Sequence, residues 1–416
     1  MIDRVMIAGG GTGGHLFPGV AVVEELRRRN PDLAVTFVGT ARGIEARVLP
    51  KMGERLELVD VRPLMGRTPG TLMRNLVNLP KSGVQALSLL RKYRPQLVIG
   101  LGGYAAGPVL MAAASMRIPT ALLEQNVHVG LTNRMLARTV GRAYLTYEQS
   151  ASHFGGDRAR VLGNPVRRAF VEAARLADHD PDGADARARR LFVLGGSQGS
   201  VALNERVPDA FAAAGVAEQG IEVLHQAGVD MVDTVSRRYA ELGIEAEVVP
   251  FIDDMARAYA RSSLVVCRAG ASTLAELCAI GRASVLIPYP HAAEDHQALN
   301  AFALQQEGAA CAIREPDATV EALAERVRTL LTEADSRRGM AARARRLGRP
   351  DAAAAVVDDL CTWLGMSTDT PGDEGSPETD GSGPTAPSDG GISRRTKVRR
   401  CELRVRPVAV PMQIAE

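Results

Sequence analysis

The chain has 416 residues, 46% of them hydrophobic, and a formal net charge of +2. That length and apolar share support two or three folded domains with sizeable cores, and so small a net charge argues against bulk nucleic-acid binding, uneven as its distribution is. Five cysteines (267, 278, 311, 361, 401) without C-x-x-C spacing read as reduced thiols of a cytosolic protein, Met-Ile-Asp-Arg running into the first strand leaves no room for a signal peptide, and no uncharged apolar run spans a bilayer.

The first half alternates short apolar runs with amphipathic stretches, the pattern of a parallel sheet flanked by helices. Strands are expected at 4–8, 34–38, 57–61, 97–101, 119–123, 143–146 and 160–162. The helix after the first loop runs from about Pro18 to Arg27-Arg28-Arg29, where cations suit its C-terminal end. Residues 173–190 are polar and unpatterned, so the domain linker is placed at 166–190. The rhythm then restarts, with strands expected near 190–194, 221–225, 245–249, 264–267, 284–287 and 309–313. Residues 367–391 are Gly, Pro, Ser, Thr, Asp and Glu without apolar periodicity and are expected to be disordered, and the basic end from Arg394 reads as a solvated tail in preference to an anionic-membrane contact.

Two glycine-rich turns carry most of the functional signal: Gly9-Gly10-Gly11-Thr12-Gly13-Gly14-His15 and Gly195-Gly196-Ser197-Gln198-Gly199-Ser200. Each joins an apolar run to a helix-like stretch, which aims backbone N–H groups and a positive helix end at one point and so suits phosphate. Two such turns, about half a chain apart, predict two nucleotide-binding-like folds facing each other across a cleft. Residues 9–14 also satisfy G-x-G-x-x-G, but the ribose-binding acid of a dinucleotide site is missing from Phe37-Val38-Gly39-Thr40-Ala41-Arg42, and His15 would crowd a pyrophosphate. A sugar nucleotide fits better. Arg268-Ala-Gly-Ala-Ser-Thr-Leu-Ala-Glu276 reads as a second phosphate-friendly turn, with Glu276 placed to accept hydrogen bonds from ribose hydroxyls. Asp-x-Asp occurs only at Asp178-His-Asp180 and Asp180-Pro-Asp182, inside the expected linker, so neither metal nor cofactor is expected. Helix ends, Ser197 and an arginine are then the natural means of neutralising a diphosphate.

Many ordered blocks resemble the MurG family: Gly-Gly-Thr-Gly-Gly-His (10–15), Phe17-Pro18-Gly19, Gly102-Gly103-Tyr104, Glu124-Gln125-Asn126, Gly130-Leu131-Thr132-Asn133, Gly163-Asn164-Pro165-Val166-Arg167, Gly195-Gly196-Ser197-Gln198-Gly199, Phe251-Ile252-Asp253-Asp254-Met255, Cys267-Arg268-Ala269-Gly270 and Asp295-His296-Gln297-Ala-Leu-Asn300. The match is collinear over roughly residues 1–360. It implies the GT-B fold, two Rossmann-like doubly wound domains, and an inverting, metal-independent transfer of N-acetylglucosamine from UDP-GlcNAc to undecaprenyl-diphosphoryl-N-acetylmuramoyl-pentapeptide, on the cytoplasmic face of the bacterial membrane. Its expected domains are 1–165 for the acceptor, the linker, 191–345 for the donor, a C-terminal helix at 346–366 returning to the first domain, and the tail 367–416. Cell-wall assembly proteins are possible partners.

Carried over onto this chain, the resemblance implies UDP-GlcNAc contacts from Thr12, Gly13, Gly14, Asn126, Arg167, Ser197, Ile252 (backbone to uracil), Glu276 (ribose), His296 and Gln297. The acceptor diphosphate would meet Gly10, Gly11, Thr12, Gly13, Gly14, Gly103 and Tyr104. His15 would be the general base, its ordinary pKa lying near working pH, with Asn126 and Glu124 orienting the acceptor; diphosphate binding or capping of the helix start is the other reading of His15. The chain departs from the family pattern at Leu123, where a histidine is common, and at Val127-His128-Val129. His128 could stand in for that histidine or be solvated.

Residues 61–123 contain no Asp or Glu, and 64–81 interleave Leu64, Met65, Leu72, Met73, Leu76, Val77 and Leu79 with Arg67, Arg74 and Lys81. Apolar residues flanked by cations suit an anionic membrane, the surface a polyprenyl acceptor demands. For 84–94 core packing is expected instead. Three rivals remain: a GT-B enzyme with another lipid or sterol acceptor, a UDP-sugar epimerase, and a non-catalytic nucleotide-sugar-binding scaffold.

Overall fold

A computed structural model describes residues 1–61, 79–178, 189–196 and 198–366. Residues 62–78, residues 179–188 of the expected linker, Ser197 and the tail from 367 lie outside the described residues. Strands β1 (Arg4–Gly9), β2 (Ala34–Gly39), β3 (Leu56–Leu58), β4 (Leu97–Gly102), β5 (Thr120–Glu124), β6 (Arg142–Leu145) and β7 (Ala159–Val161) form a parallel sheet in the order β3-β2-β1-β4-β5-β6-β7. Runs such as Val5-Met6-Ile7-Ala8 and Leu97-Val98-Ile99 are buried on both faces, which is why they read as continuous apolar segments. A second parallel sheet follows from β8 (Arg190–Leu194), β9 (Glu222–Gln226), β10 (Ala246–Val249), β11 (Leu264–Cys267), β12 (Ala283–Leu286) and β13 (Cys311–Ala312), in the order β10-β9-β8-β11-β12-β13. The two doubly wound sheets bear out the expected fold class.

In each sheet the strand order reverses beside its first strand, between β1 and β4 and between β8 and β11. A crevice opens at such a switch point, at the carboxyl ends of the strands. Both glycine turns and Gly102-Gly103 therefore sit at crevices because of where their strands pair.

Three stretches differ from the sequence expectation. The first helix, α1 (Gly13–Arg29), starts five residues before Pro18 and carries that proline inside it. The third strand stops at Leu58, because the Asp60 N–H turns away to donate to Gln85 Oε1 at 3.0 Å. Part of the expected linker is a helix, Arg168–Asp178, whose Phe170 and Ala174 are buried in the core of the second half. Apolar residues four apart on one helical face outweigh the polar composition around them.

The end of the described chain returns to the first half. In the helix Ala352–Leu364, Val356, Val357, Leu360 and Cys361 join the core built on β1, β2 and β4. Arg29 Nη1 pairs with Asp358 at 2.5 Å, and the Tyr144 hydroxyl donates to Asp359 at 2.9 Å. That helix is stapled to both α1 and β6.

Leu360 is fully buried, whereas Leu176 is 73% exposed. Leu360→Ala should cost about 2–5 kcal/mol of stability in urea unfolding, and Leu176→Ala should stay within about 0.5 kcal/mol. Equal effects would contradict the return of the C-terminal helix into the first core.

Candidate active site at the cleft

The two halves meet where two helices begin. The helix Ala271–Ile280 starts after β11, and neither it nor α1 has an acidic residue in its first turn to offset its positive end. Pro18 has no N–H to donate to the carbonyl four residues back, that of Gly14. The Ser272 hydroxyl from the other half fills the gap, donating to Gly14 O at 3.1 Å. Asn164 Nδ2 adds a second tie by donating to the Ala271 carbonyl at 3.3 Å.

His15 lies in the first turn of α1, half-buried, with Nδ1 3.0 Å from Gln125 Oε1. The Gln125 amide is oriented by its own N–H donation to the Leu101 carbonyl at 3.3 Å, so its oxygen faces the imidazole and must accept. That network assigns the proton of a neutral His15 to Nδ1 and leaves Nε2 with its lone pair. Gly102 keeps the ring close: a Cβ there would meet His15 Nδ1 at 3.1 Å. A Cβ on Gly103 would meet the Gly10 carbonyl at 2.7 Å, so this glycine lets the β4 end lie against the loop. Thr12, at the N-cap of α1, and Tyr104 are exposed.

Glu124 is placed differently from a group that reaches a substrate. Its carboxylate is buried and accepts from the Asn126 N–H at 3.1 Å, Asn126 Nδ2 at 3.2 Å, the Gly130 N–H at 3.2 Å and Asn133 Nδ2 at 2.9 Å. The acid is saturated by its own loop. Asn126 in turn meets the other half, its Oδ1 accepting from Asn300 Nδ2 at 3.1 Å, while Asn300 Oδ1 accepts from the Val127 N–H at 3.1 Å. Leu123 is buried in β5. Gly11 also turns out to be engaged, its N–H donating to Glu45 Oε2 at 2.7 Å.

On the donor side, Arg167 Nη2 reaches Glu276 Oε1 at 3.2 Å, and its guanidinium stacks 4.4 Å from the Phe17 ring centroid and 4.8 Å from that of Phe170. Burial raises the Glu276 carboxyl to about 7, with Arg167 pulling the other way. Ile252 donates its N–H to Gln226 Oε1 at 3.1 Å, and the Gln226 amide donates to the Gly196 carbonyl at 2.6 Å. His296 opens the helix His296–Gln306 and donates Nδ1–H to the Ala293 carbonyl at 2.7 Å; burial lowers its pKa, that carbonyl opposes the shift, and the nearby charge of His15 lowers it further. Gln297 Oε1 accepts from the Tyr289 N–H at 3.0 Å.

Just before His296, Glu294 and Asp295 both adopt a φ of +53°, strained for side-chain-bearing residues. Ion pairs hold both, Glu294 with Arg134 at 2.7 Å and Asp295 with Arg314 at 2.9 Å, and His128 Nε2 lies 2.9 Å from the Glu294 carboxylate across the cleft. His128 is thus a partner of Glu294 and not a solvated loop residue.

Sequence reasoning missed Gln125, Asn300, Asn133 and Glu45 as site-forming residues, although the first three stood inside quoted blocks. Ser197 lies outside the described residues, as do Asp180 and Asp182. Among the described residues no cluster of His, Cys, Asp and Glu is arranged to hold a metal ion.

Residues 5–145 match the glycosyltransferase family 28 N-terminal domain and residues 190–356 its C-terminal domain. The chain is 45% identical over 366 residues to the UDP-N-acetylglucosamine–N-acetylmuramyl-(pentapeptide) pyrophosphoryl-undecaprenol N-acetylglucosamine transferase of Myxococcus xanthus, covering 88% of this chain and 94% of that protein. Among solved structures it is similar to MurG of Acinetobacter baumannii, with a TM-score of 0.69, 30% identity and coverage of 86% of this chain and 99% of that one. It also shares its fold with the UDP-GlcNAc 2-epimerase of Neisseria meningitidis at 12% identity, a TM-score of 0.59, and coverage of 87% and 100%.

A carboxyl raised by burial favours the folded state fully below its unfolded pKa of about 4.5 and loses that advantage as pH rises through its folded value. Thermal melts should therefore show the wild type losing stability relative to Glu276→Gln as pH goes from 4.5 to about 7. Parallel melting curves over that window would contradict the assignment.

Proposed function

The chain belongs to glycosyltransferase family 28 as an N-acetylglucosaminyltransferase of the MurG type, and on that premise we propose how its cleft carries the reaction. The enzyme moves N-acetylglucosamine from UDP-GlcNAc to the C4 hydroxyl of lipid-linked N-acetylmuramoyl-pentapeptide, the step that forms the lipid II precursor of peptidoglycan. The displacement is single and inverting: the C4 oxygen bonds to C1 of the sugar as the C1–O bond to UDP breaks.

The observation that carries this account is the junction of the two helix starts at Ser272 and Gly14. Two positive helix ends beside one crevice attract diphosphates, and the amides at the start of Ala271–Ile280 stabilise the charge that grows on departing UDP without a metal ion. Glu276 receives the ribose hydroxyls, releasing Arg167 towards the diphosphate. Ser197 belongs to the same UDP site by its place in the second glycine turn. Ile252 meets uracil through its carbonyl, since its N–H is taken by Gln226. His296 and Gln297, held on the strained 294–295 turn, face the donor sugar, with Asn126 docked beside them through Asn300.

His15 is the general base. Gln125 holds the tautomer whose Nε2 can accept the C4 hydroxyl proton, so the ring needs no rearrangement before the step. Glu124 acts by shaping the 125–133 loop. The acceptor diphosphate meets Thr12 and the first-turn amides of Gly13 and Gly14, with Gly10, Gly103 and Tyr104 at the edge of the loop.

For the membrane, the reading rests on the acid-free run 61–123 and on Val84, Met111 and Met116, exposed on or at the end of two packed helices, Leu79–Tyr93 and Ala106–Ser115. No helix among the described residues is long and apolar enough to cross a membrane. We place the enzyme at the cytoplasmic membrane face, docked through this side of the first half; most of 64–81 lies outside the described residues, and Lys81 there pairs with Asp60 at 3.0 Å.

Transfer of labelled N-acetylglucosamine to the purified lipid-linked acceptor should proceed unchanged in EDTA. His15→Ala should lower kcat by about 10²–10⁴-fold while UDP-GlcNAc affinity holds. Full activity of the variant would remove the base from His15, and metal-dependent transfer would overturn the charge assignment.

A further inference from the structure

Glu45 opens the short helix Glu45–Lys51 that follows β2, and it is 1% exposed. Its carboxylate is turned back onto the first glycine loop. Oε2 accepts from the Gly11 N–H at 2.7 Å, and Oε1 accepts from the Thr40 N–H at 2.9 Å and the Thr40 hydroxyl at 3.1 Å. Among the described residues no Lys, Arg or His forms an ion pair with it. A carboxylate buried without a counter-charge is costly and persists only where well-aimed donors replace water.

The chain also clears space for this side chain. A Cβ added at Gly10, Gly39 or Gly43 would collide with Glu45 in each case. Three separate segments, the β1–α1 loop, the end of β2 and the turn after it, are left bare around one acid. In a dinucleotide-binding fold an acid near the end of β2 faces a ribose; here it faces the loop itself.

We propose that Glu45 is a positioning residue for the acceptor side of the reaction: its carboxylate acts as a built-in anion that fixes the first glycine loop, and through it the start of α1 and His15. This inference rests on the transferase reading above. Gly11 is withdrawn from phosphate recognition by its bond to Glu45. The amides of Gly13 and Gly14, which have no partner within their own helix, become the ones the acceptor diphosphate meets. Because His15 follows in the same turn, the anchor at Gly11 also sets where the base stands relative to the attacking hydroxyl.

Glu45→Gln keeps the volume but puts an amide N–H₂ against a donor, since Gly11 and Thr40 offer only N–H and O–H groups to this side chain. Thr40→Val removes one of the three donors and is the milder second variant. For Glu45→Gln we expect kcat/KM for the lipid-linked acceptor to fall about tenfold or more, with UDP-GlcNAc Kd within about twofold of wild type. Amide hydrogen exchange over residues 10–15 should accelerate, while exchange in the second sheet stays unchanged. Thr40→Val should move both readouts the same way and less far.

An unchanged acceptor kcat/KM with unchanged exchange would overturn the proposal. So would parallel loss of donor and acceptor binding with a general loss of protection, which marks a purely structural acid. If the wild type itself fails to transfer to this acceptor, the transferase reading fails, and local exchange at 10–15 alone decides whether Glu45 holds the loop.

Discussion

Two helices of like polarity begin at the same place, and this constraint organises the molecule. The first turns of Gly13–Arg29 and Ala271–Ile280 are joined by the hydroxyl of Ser272 and the carbonyl of Gly14, a carbonyl left free because Pro18 has no N–H. Each helix start carries about half a positive charge, so bringing them together is unfavourable until an anion lies between them. The fold supplies what keeps them there. Arg167 stacks between Phe17 of one half and Phe170 of the helix packed on the other, Asn300 grips Asn126 and the Val127 amide, and Glu294 is paired with Arg134 and His128. The helix Ala352–Leu364 closes the chain back on the first core.

Three buried acids around this junction do different work because their partners differ. Glu124 spends both oxygens on its own loop, Glu45 spends its oxygens on the neighbouring glycine loop, and Glu276 faces one guanidinium. Only the last has a partner that a ligand can exchange. An acid saturated by backbone amides is fixed before substrate arrives, whereas the Arg167–Glu276 pair can open to give a ribose acceptor and a phosphate-binding cation. Preorganisation on the acceptor side and exchange on the donor side follow from these hydrogen-bond lists.

The sheets were legible because strands buried on both faces leave unbroken apolar runs, and the crevices were legible because glycines mark where strands turn into helices. What a side chain faces was harder to read. Glu124 and Gln125 are adjacent in one short block, yet the first is consumed internally and the second sets the histidine tautomer; pleat and loop geometry decide this, and neither leaves a mark in composition. Glu45 was hidden because its partners are glycine amides and the space around it is kept by missing Cβ atoms at 10, 39 and 43. The helix Arg168–Asp178 was masked by its polar residues, since among the described residues Phe170, Ala174 and the half-buried Ala173 carry its contact with the core. His128, unusual for the family pattern, found its role only through a residue on the opposite half.

The most direct measurement is the crystal structure of the enzyme with UDP-GlcNAc bound. The account predicts the diphosphate at the junction of the two helix starts, with Glu276 turned from Arg167 onto the ribose and the Ser272–Gly14 contact retained. A diphosphate seated away from both helix starts, with the Arg167–Glu276 pair still closed, would contradict it.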